Sequence, residues 1–233
     1  LKVYKKLNKM KKKVLFLFGE KNFQTKKLIL FFKKKVSLKI DYFVDKQKSK
    51  KKFDVKNAYF DYIFCFRSKY ILSQSDIKKS KFPPINFHPG PPEYRGFGCA
   101  NYALYENSKY YGVTVHIINK KIDNGQIIYV KRFKIDKNEN LVSLLTKTHH
   151  NLFLIAKKNI KLLLKDQQRI LRLINDNKKE KWSKIIKSKK DLNQFYEISL
   201  NSSRIDLKNK LRATVYKRFK PHIFFHRKKF NLE

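Results

Sequence analysis

Glycine and proline are scarce in this chain of 233 residues, with six of each. Five of the prolines (Pro83, Pro84, Pro89, Pro91, Pro92) nevertheless fall within one ten-residue stretch, and Gly90, Gly96 and Gly98 lie in it or just after it. No glycine follows Gly125, so tight turns beyond it must use other residues. There are two cysteines, Cys65 and Cys99, too few for a disulfide framework or a four-thiolate metal site. That usage fits a reducing cytoplasm. Long apolar runs are also missing. LILFF at 28–32 is typical of the longest, against the roughly 20 residues that a helical membrane span needs. VLFLF at 14–18 ends in Gly-Glu-Lys with no small-residue cleavage site, which argues against a secretory signal. The single methionine, Met10, precedes that run, and residues 1–10 are expected to form a disordered extension.

Acidic residues are few as well: 18 against 57 lysines and arginines, a net charge of +39. Such a charge attracts any polyanion through counterion release. The lysines are scattered along the chain, not gathered into one arm. Their abundance, with that of Asn, Ile, Phe and Tyr, follows the bias of AT-rich coding. Nucleic-acid binding is therefore expected to be non-specific only, while small anionic substrates feel the same field.

What is present is enough for a folded interior: 42% hydrophobic and 15% aromatic residues. Val14–Phe18 reads as a buried strand, Phe23–Phe32 as a helix and Leu38–Val44 as a second strand. Asp61–Phe66 and Pro84–His88 follow as strands, separated by a short helix over Ser75–Lys81. Cys99–Glu106 reads as a helix opening after Gly98. Gly112–Ile118 alternates with period two, Asp123-Asn124-Gly125 is a turn, and Gln126–Phe133 is another strand. Leu141–Leu164 is a long helix. This alternation predicts an α/β fold, a Rossmann-like, mostly parallel sheet flanked by helices. Residues 11–170 form the catalytic domain in this reading. Residues 171–233 form a small C-terminal subdomain with a β-hairpin near Pro221. There is no internal repeat.

In open α/β sheets ligands bind beyond the carboxyl ends of the strands. Gly19, Asn86–His88 and Asp123 fall at that rim. Asn86 and His88 are two apart on a strand, so they face the same space while Phe87 turns into the core. An amide can donate to a developing oxyanion, and an imidazole can move a proton near neutral pH. Asp123 can supply a carboxylate to orient His88. The prolines stiffen the loop beside this pair, since each fixes its own φ and restricts the residue before it. Taken alone, an Asn-x-His at a strand end is more often structural than catalytic, and His116, mid-strand, reads as a packed side chain. Arg95 reads as structural or as holding the loop by a salt bridge. Cys99 has no base in view and is not read as a nucleophile.

Asn86-x-His88-Pro89, Tyr94-Arg95-Gly96, Gly112-Val113-Thr114-Val115-His116 and Asp123-x-Gly125, in that order, resemble the signature of the folate-dependent formyltransferases. The resemblance spans about residues 14–165. HPGPPEYRG, GCANYALYE and DYIFCFRSKYIL look most like the sugar-nucleotide N-formyltransferases, as does the tail RATVYKRFKPHIFFHRKKFNL. Glycinamide ribonucleotide and tRNA enzymes usually carry a Ser-Leu-Leu-Pro type loop where Gly90–Pro92 stands. The lysine-rich stretch 165–191 exceeds what the family needs.

The resemblance implies transfer of a formyl group from N10-formyltetrahydrofolate to the amine of a nucleotide-linked 4-amino-4,6-dideoxy sugar, for surface polysaccharide (O-antigen) biosynthesis, without a metal. Asn86 and His88 would stabilise the tetrahedral intermediate, and Asp123 would orient His88 and help deprotonate the amine. Phe66, Arg67, Ser68, Tyr70, Ile122, Asn124 and Gly125 would hold the folate. Pro89, Gly90, Glu93 and Tyr94 would meet the sugar nucleotide. A homodimer in the cytoplasm is expected. The alternatives are a methionyl-tRNA formyltransferase and a basic nucleic-acid-binding protein on a degenerate formyltransferase fold.

Overall fold

A computed structural model describes residues 12–20, 22–33, 37–42, 58–166, 168–216 and 219–232. The expected extension over residues 1–10 lies outside these, as does Val44 at the end of the second expected strand. A six-stranded sheet in the order β2-β1-β3-β4-β6-β7 carries the fold. Its strands are β1 (Lys13–Phe18), β2 (Ser37–Tyr42), β3 (Tyr62–Phe66), β4 (Ile85–His88), β6 (Tyr110–Ile117) and β7 (Ile127–Lys134). The first four run parallel, and β6 and β7 are antiparallel additions beyond β4. The sheet is thus the expected mostly parallel one.

Alternation sorts the residues onto two faces. Val14, Phe16, Phe18, Tyr62, Phe64, Phe66, Ile85, Phe87, Val113 and Val115 form the main core. Against them pack α1 (Phe23–Lys33), α4 (Leu141–Lys165) and α5 (Arg169–Asp176). Helix α4 buries Leu141, Leu144, Thr148, Leu152, Ile155, Ala156, Asn159, Ile160 and Leu163, a stripe at three- and four-residue spacing. Asn140 and Ser143 cap its start reciprocally. The opposite face holds a smaller cluster of Leu15, Leu17, Ile63, Cys65 and Leu72. Cys65 lies in register with Asn86, and Asn86 with His116, so the polar residues of β4 and β6 share this second face.

Helix α2 is shorter than expected, Gln74–Ile77, because Ser73 and Asp76 close a capping box and Phe60 then pairs with Ser80. Helix α3 (Cys99–Tyr105) begins after Gly98 at φ 74, a conformation glycine adopts without strain. The remaining chain docks on α3 and the start of α4. Phe195 of α6 (Lys189–Phe195) and Ala213 of α7 (Arg204–Thr214) join one cluster with Leu104, Tyr111 and Leu144. Asn101 Nδ2 donates to the Ala213 carbonyl at 2.7 Å. Before α6, residues 177–187 run along the domain as a strap. Asn177 Nδ2 donates to the Ile128 carbonyl at 3.0 Å, and β8 (Ile186–Lys187) pairs with β5 (Arg95–Gly96).

The chain ends in the hairpin β9 (His222–Phe225) and β10 (Lys228–Asn231). Its two-residue turn, His226-Arg227, has φ 45 and 62. Both residues occupy the left-handed region that side chains resist, the conformation that favours an Asn-Gly pair. Combining His226→Asn with Arg227→Gly is expected to strengthen the hairpin by about 1 kcal/mol. Amide exchange of Ile223 and Phe230 should slow accordingly, and unchanged rates would refute the strain.

Candidate active site

Asn86 and His88 stand on β4 as alternation requires, with Phe87 between them in the aromatic core. His88 ends the strand. The Pro-rich loop then turns back, and β6 captures its carbonyls. Tyr111 Oη donates to the Pro89 carbonyl at 2.9 Å, and Thr114 Oγ1 to the Gly90 carbonyl at 2.7 Å. Both side chains are almost fully buried. Tyr94 N–H closes a turn onto the Pro91 carbonyl. Gly90 lies against the imidazole, since a Cβ there would stand 2.7 Å from His88 Nε2.

Asp123 reaches this pair from the β6–β7 connection. Its Oδ1 lies 3.4 Å from His88 Nδ1 and 3.5 Å from His116 Nε2, and its Oδ2 accepts Gly96 N–H at 3.2 Å. Asp123, His88 and His116 are each less than a tenth exposed. His116 donates from Nδ1 to its neighbour's carbonyl, Ile117 O, at 2.8 Å. In the neutral ring Nε2 is then an acceptor, and Asn86 Nδ2 donates to it at 3.1 Å. One amide hydrogen of Asn86 is fixed this way and the other remains for a ligand. A bulge in the β6–β7 pairing falls between Val115 and His116 and re-aims the histidine.

Asp123 has φ 45, a strained position for a side chain, and clamps hold its turn on both sides. Arg95 Nη2 donates to the Ile122 carbonyl at 2.9 Å, and Trp182 Nε1 to the Gly125 carbonyl at 2.7 Å. Gly125 is pressed so closely on β6 that a Cβ would overlap the Ile117 carbonyl. Arg95 also donates from Nη1 to the Ser183 carbonyl at 2.7 Å. It holds the loop through carbonyls, and among the described residues it makes no salt bridge. Its Nε finds no partner among them either.

The electrostatics follow from burial. Desolvation lowers the His88 pKa, and the attraction of Asp123 does not restore it against the opposing charges of His116 and Arg95. His88 is therefore neutral near pH 7. Burial alone would raise the Asp123 pKa, but the two imidazoles and the Gly96 N–H hold it well below the usual carboxylate range. Cys99 Sγ is 3.8 Å from His88 Nε2. Burial, reinforced by Asp123, pushes its thiol up to about 12, so it stays protonated and is a poor nucleophile.

Of the other sequence candidates, Pro89 and Gly90 border His88. Tyr94 turns its hydroxyl toward Glu106 and Ser108, and its carbonyl lies 3.2 Å from His88 Nε2. Glu93 pairs with Arg132 at 2.5 Å, as does Glu180. Phe66 is buried in the core. Arg67, at φ 52, reaches Glu20 at 2.6 Å, Ser68 Oγ accepts Tyr70 N–H at 3.2 Å, and Tyr70 Oη donates to Asp76 at 2.9 Å. Ile122 and Asn124 are exposed beside Asp123. Asn124 and Gly125 line an open cleft of about 320 Å³ with Gln126, Glu180, Lys181 and Trp182. Two neighbours escaped the sequence reading. The alternation in GVTVH gives His116 a face, but only the register opposite Asn86 gives it partners. Trp182 sits in the lysine-rich stretch 165–191, where composition singles out no site residue.

Residues 5–153 match the protein family described as formyl transferase. The chain belongs to that family. It is 34% identical over 108 residues to the bifunctional polymyxin resistance protein ArnA of Wigglesworthia glossinidia brevipalpis, 46% of this chain. It is 26% identical over 162 residues, 68% of this chain, to the methionyl-tRNA formyltransferase of Mycoplasmopsis pulmonis. The aligned regions span 16% and 53% of those two relatives, so the chain matches only part of each. The fold is that of a sugar N-formyltransferase from Shewanella sp FDAARGOS_354, with TM-score 0.72 and 19% identity, over 95% of this chain and 96% of that one. An N-formyltransferase from Helicobacter canadensis, solved with folinic acid and dTDP-3-aminofucose, shares it at TM-score 0.65 and 20% identity, over 94% and 85%.

The depressed pKa values of His88 and Asp123 set the sign of the pH dependence. In both cases the unfolded chain binds more protons, so their stabilisation is complete above about pH 6.5 and is lost as pH falls through each folded value. The melting temperature should fall from about pH 7 to pH 5, and less so in His88→Asn. Parallel curves for the two proteins would show that His88 is not buried in its neutral form.

Proposed function

We propose that this chain moves the formyl group of N10-formyltetrahydrofolate to the amine of a nucleotide-linked 4-amino-4,6-dideoxy sugar. The carrying observation is the convergence of Asn86, His88 and Asp123 on one buried rim of a formyl-transferase fold. The HPGPPEYRG loop supports the sugar-nucleotide acceptor, as does the similarity in fold to a protein solved with folinic acid and a dTDP-amino sugar. The folate is held at the Phe66–Tyr70 and Ile122–Gly125 loops, and the sugar nucleotide at Pro89, Gly90, Glu93 and Tyr94. The chemistry of this reading needs no metal.

In this reading the free amide hydrogen of Asn86 meets the oxygen that becomes negative when the amine attacks. His88, neutral with Nδ1–H turned to Asp123, takes the proton of the attacking amine at Nε2 and gives it up to N10 of the folate as the N10–C bond breaks. Asp123 stays ionised throughout and stabilises the imidazolium once formed. The sugar amine must be neutral to attack, so the rate should rise with pH through the pKa of the amine or of His88. A flat profile for the chemical step would oppose this. Asn86→Ala should lower kcat by about 100- to 1,000-fold, as expected for loss of an oxyanion donor. Full activity in that variant would remove the amide from the mechanism.

The product enters surface polysaccharide (O-antigen) biosynthesis in the cytoplasm. None of the described helices is long and apolar enough to cross a membrane. Phe225 and Phe230 are exposed on one face of the C-terminal hairpin and offer an apolar patch for homodimerisation. Sedimentation at micromolar concentration should give a dimer, and a monomer would remove that role.

A methionyl-tRNA acceptor is the second reading, favoured by the net charge of +39 and by the Mycoplasmopsis relative. One assay separates the two. The chain is given N10-formyltetrahydrofolate with dTDP-4-amino-4,6-dideoxyglucose, its galactose epimer, GDP-perosamine, dTDP-3-aminofucose or Met-tRNA, and formylated product is followed by mass. Turnover of a sugar nucleotide, abolished in His88→Ala, is the expected result. Turnover of Met-tRNA alone would overturn it.

A further inference from the structure

The two imidazoles and the Asp123 turn share one neighbour from far along the chain. Trp182, the only tryptophan, stands nearly perpendicular to both rings. Its centroid is 4.9 Å from that of His116 at 84°, and 5.8 Å from that of His88 at 76°. Edge-to-face contacts in this range are attractive. The same indole donates to the Gly125 carbonyl. Its strap is pinned on either side of it. Glu180 pairs with Arg132, Ser183 N–H donates to the Pro92 carbonyl at 2.9 Å, and the Ser183 carbonyl accepts Arg95.

These contacts supply what the hydrogen bonds leave open. The His116 ring is already held by Ile117 O and Asn86 Nδ2 at 2.8 and 3.1 Å, but His88 Nδ1 reaches Asp123 only at 3.4 Å, beyond the 2.7–3.2 Å of a well-made bond. Such a contact does not fix a ring about its last torsion. A perpendicular aromatic wall does. Asp123 itself sits in the left-handed region, which persists only where the surroundings determine it from more than one side. Arg95 holds the carbonyl before it and Trp182 a carbonyl after it. Both clamps also lead to the strap, one through Ser183 and one through Trp182 itself.

We propose that Trp182 is a positioning residue, which sets the angle at which His88 meets Asp123 and thereby makes the 177–187 strap part of the active site. The kinetic half of its test rests on the formyl-transfer reading, and the spectroscopic half does not.

Trp182→Phe keeps a ring and loses the N–H, whereas Trp182→Ala loses both. The expected kcat losses are about tenfold and about 100-fold, the scale of a displaced catalytic group, with KM for folate and acceptor nearly unchanged. Either variant, folded by circular dichroism and with full kcat, would overturn the proposal. A loss confined to KM would also overturn it, because Trp182 would then be a binding contact.

The lone indole gives the second readout, in the wild-type chain and without turnover. An imidazolium in contact quenches indole emission more than an imidazole does. Emission should therefore fall as pH is lowered through the His88 titration, with the midpoint moved in Asp123→Asn and the fall reduced in His88→Gln. The charged groups around the indole are His88 on β4, His116 on β6, Asp123 in its turn, Arg95 on β5, and Glu180 and Lys181 on the strap. Glu180 is held below the usual carboxylate range by Arg132, so Glu180→Gln should leave the midpoint in place. If no acceptor is formylated, the functional reading fails alone. Emission that follows His88 then still supports the positioning role. Emission indifferent to pH, or to both Asp123→Asn and His88→Gln, overturns it.

Discussion

A single carboxylate, taken out of water and set between two imidazoles, governs the arrangement of this molecule. A buried ionised group is tolerated only when neighbours compensate it. Asp123 Oδ2 accepts the Gly96 N–H, and Oδ1 lies against His88 Nδ1, with His116 Nε2 at 3.5 Å. Each of these belongs to a different element, so the carboxylate ties β4, β6 and β5 to one point. Removing the Gly96 or His88 contact would leave charge less compensated in a dry site. The left-handed backbone of Asp123 is a cost accepted for that placement, and Arg95 and Trp182 hold the carbonyls on either side.

The sheet supplies the geometry. Four parallel strands put the end of β4 at the rim, and reversal at β6 brings a second strand alongside it in the opposite direction. That antiparallel pairing sets His116 across from Asn86 and Thr114 across from His88. Odd-numbered β4 and β6 residues such as Phe87, Val113 and Val115 build the core, and even-numbered ones build the site. The Pro-rich loop needs the same strand, since Tyr111 and Thr114 bind its carbonyls. Core and site are two faces of one pleat, so the aromatic packing around Phe87 also fixes the imidazole of His88.

Local chemistry explains what the sequence made legible. Apolar runs and Gly98 before a helix each act within a few residues, and the elements they imply are present. The Asn86–His88 pair was readable because strand alternation is local. His116 was not, because its meaning depends on register across β6 and on a bulge. Trp182 was not, because 59 residues separate it from Asp123 and its stretch is rich in lysine. The hairpin was foreseen around Pro221 but lies entirely after it, turning at His226-Arg227, where composition gives no glycine to mark the turn. The long-range partners of a site are the part that composition hides.

The central claim is that ionised Asp123 bears directly on His88. The most direct test is the titration of the His88 ring protons by nuclear magnetic resonance, in the wild-type chain and in Asp123→Asn. The account predicts a lower His88 pKa in the variant, because the amide removes the one nearby charge that favours the imidazolium. Superimposable titration curves would contradict it, and would mean that the carboxylate and the imidazole are neighbours without being partners.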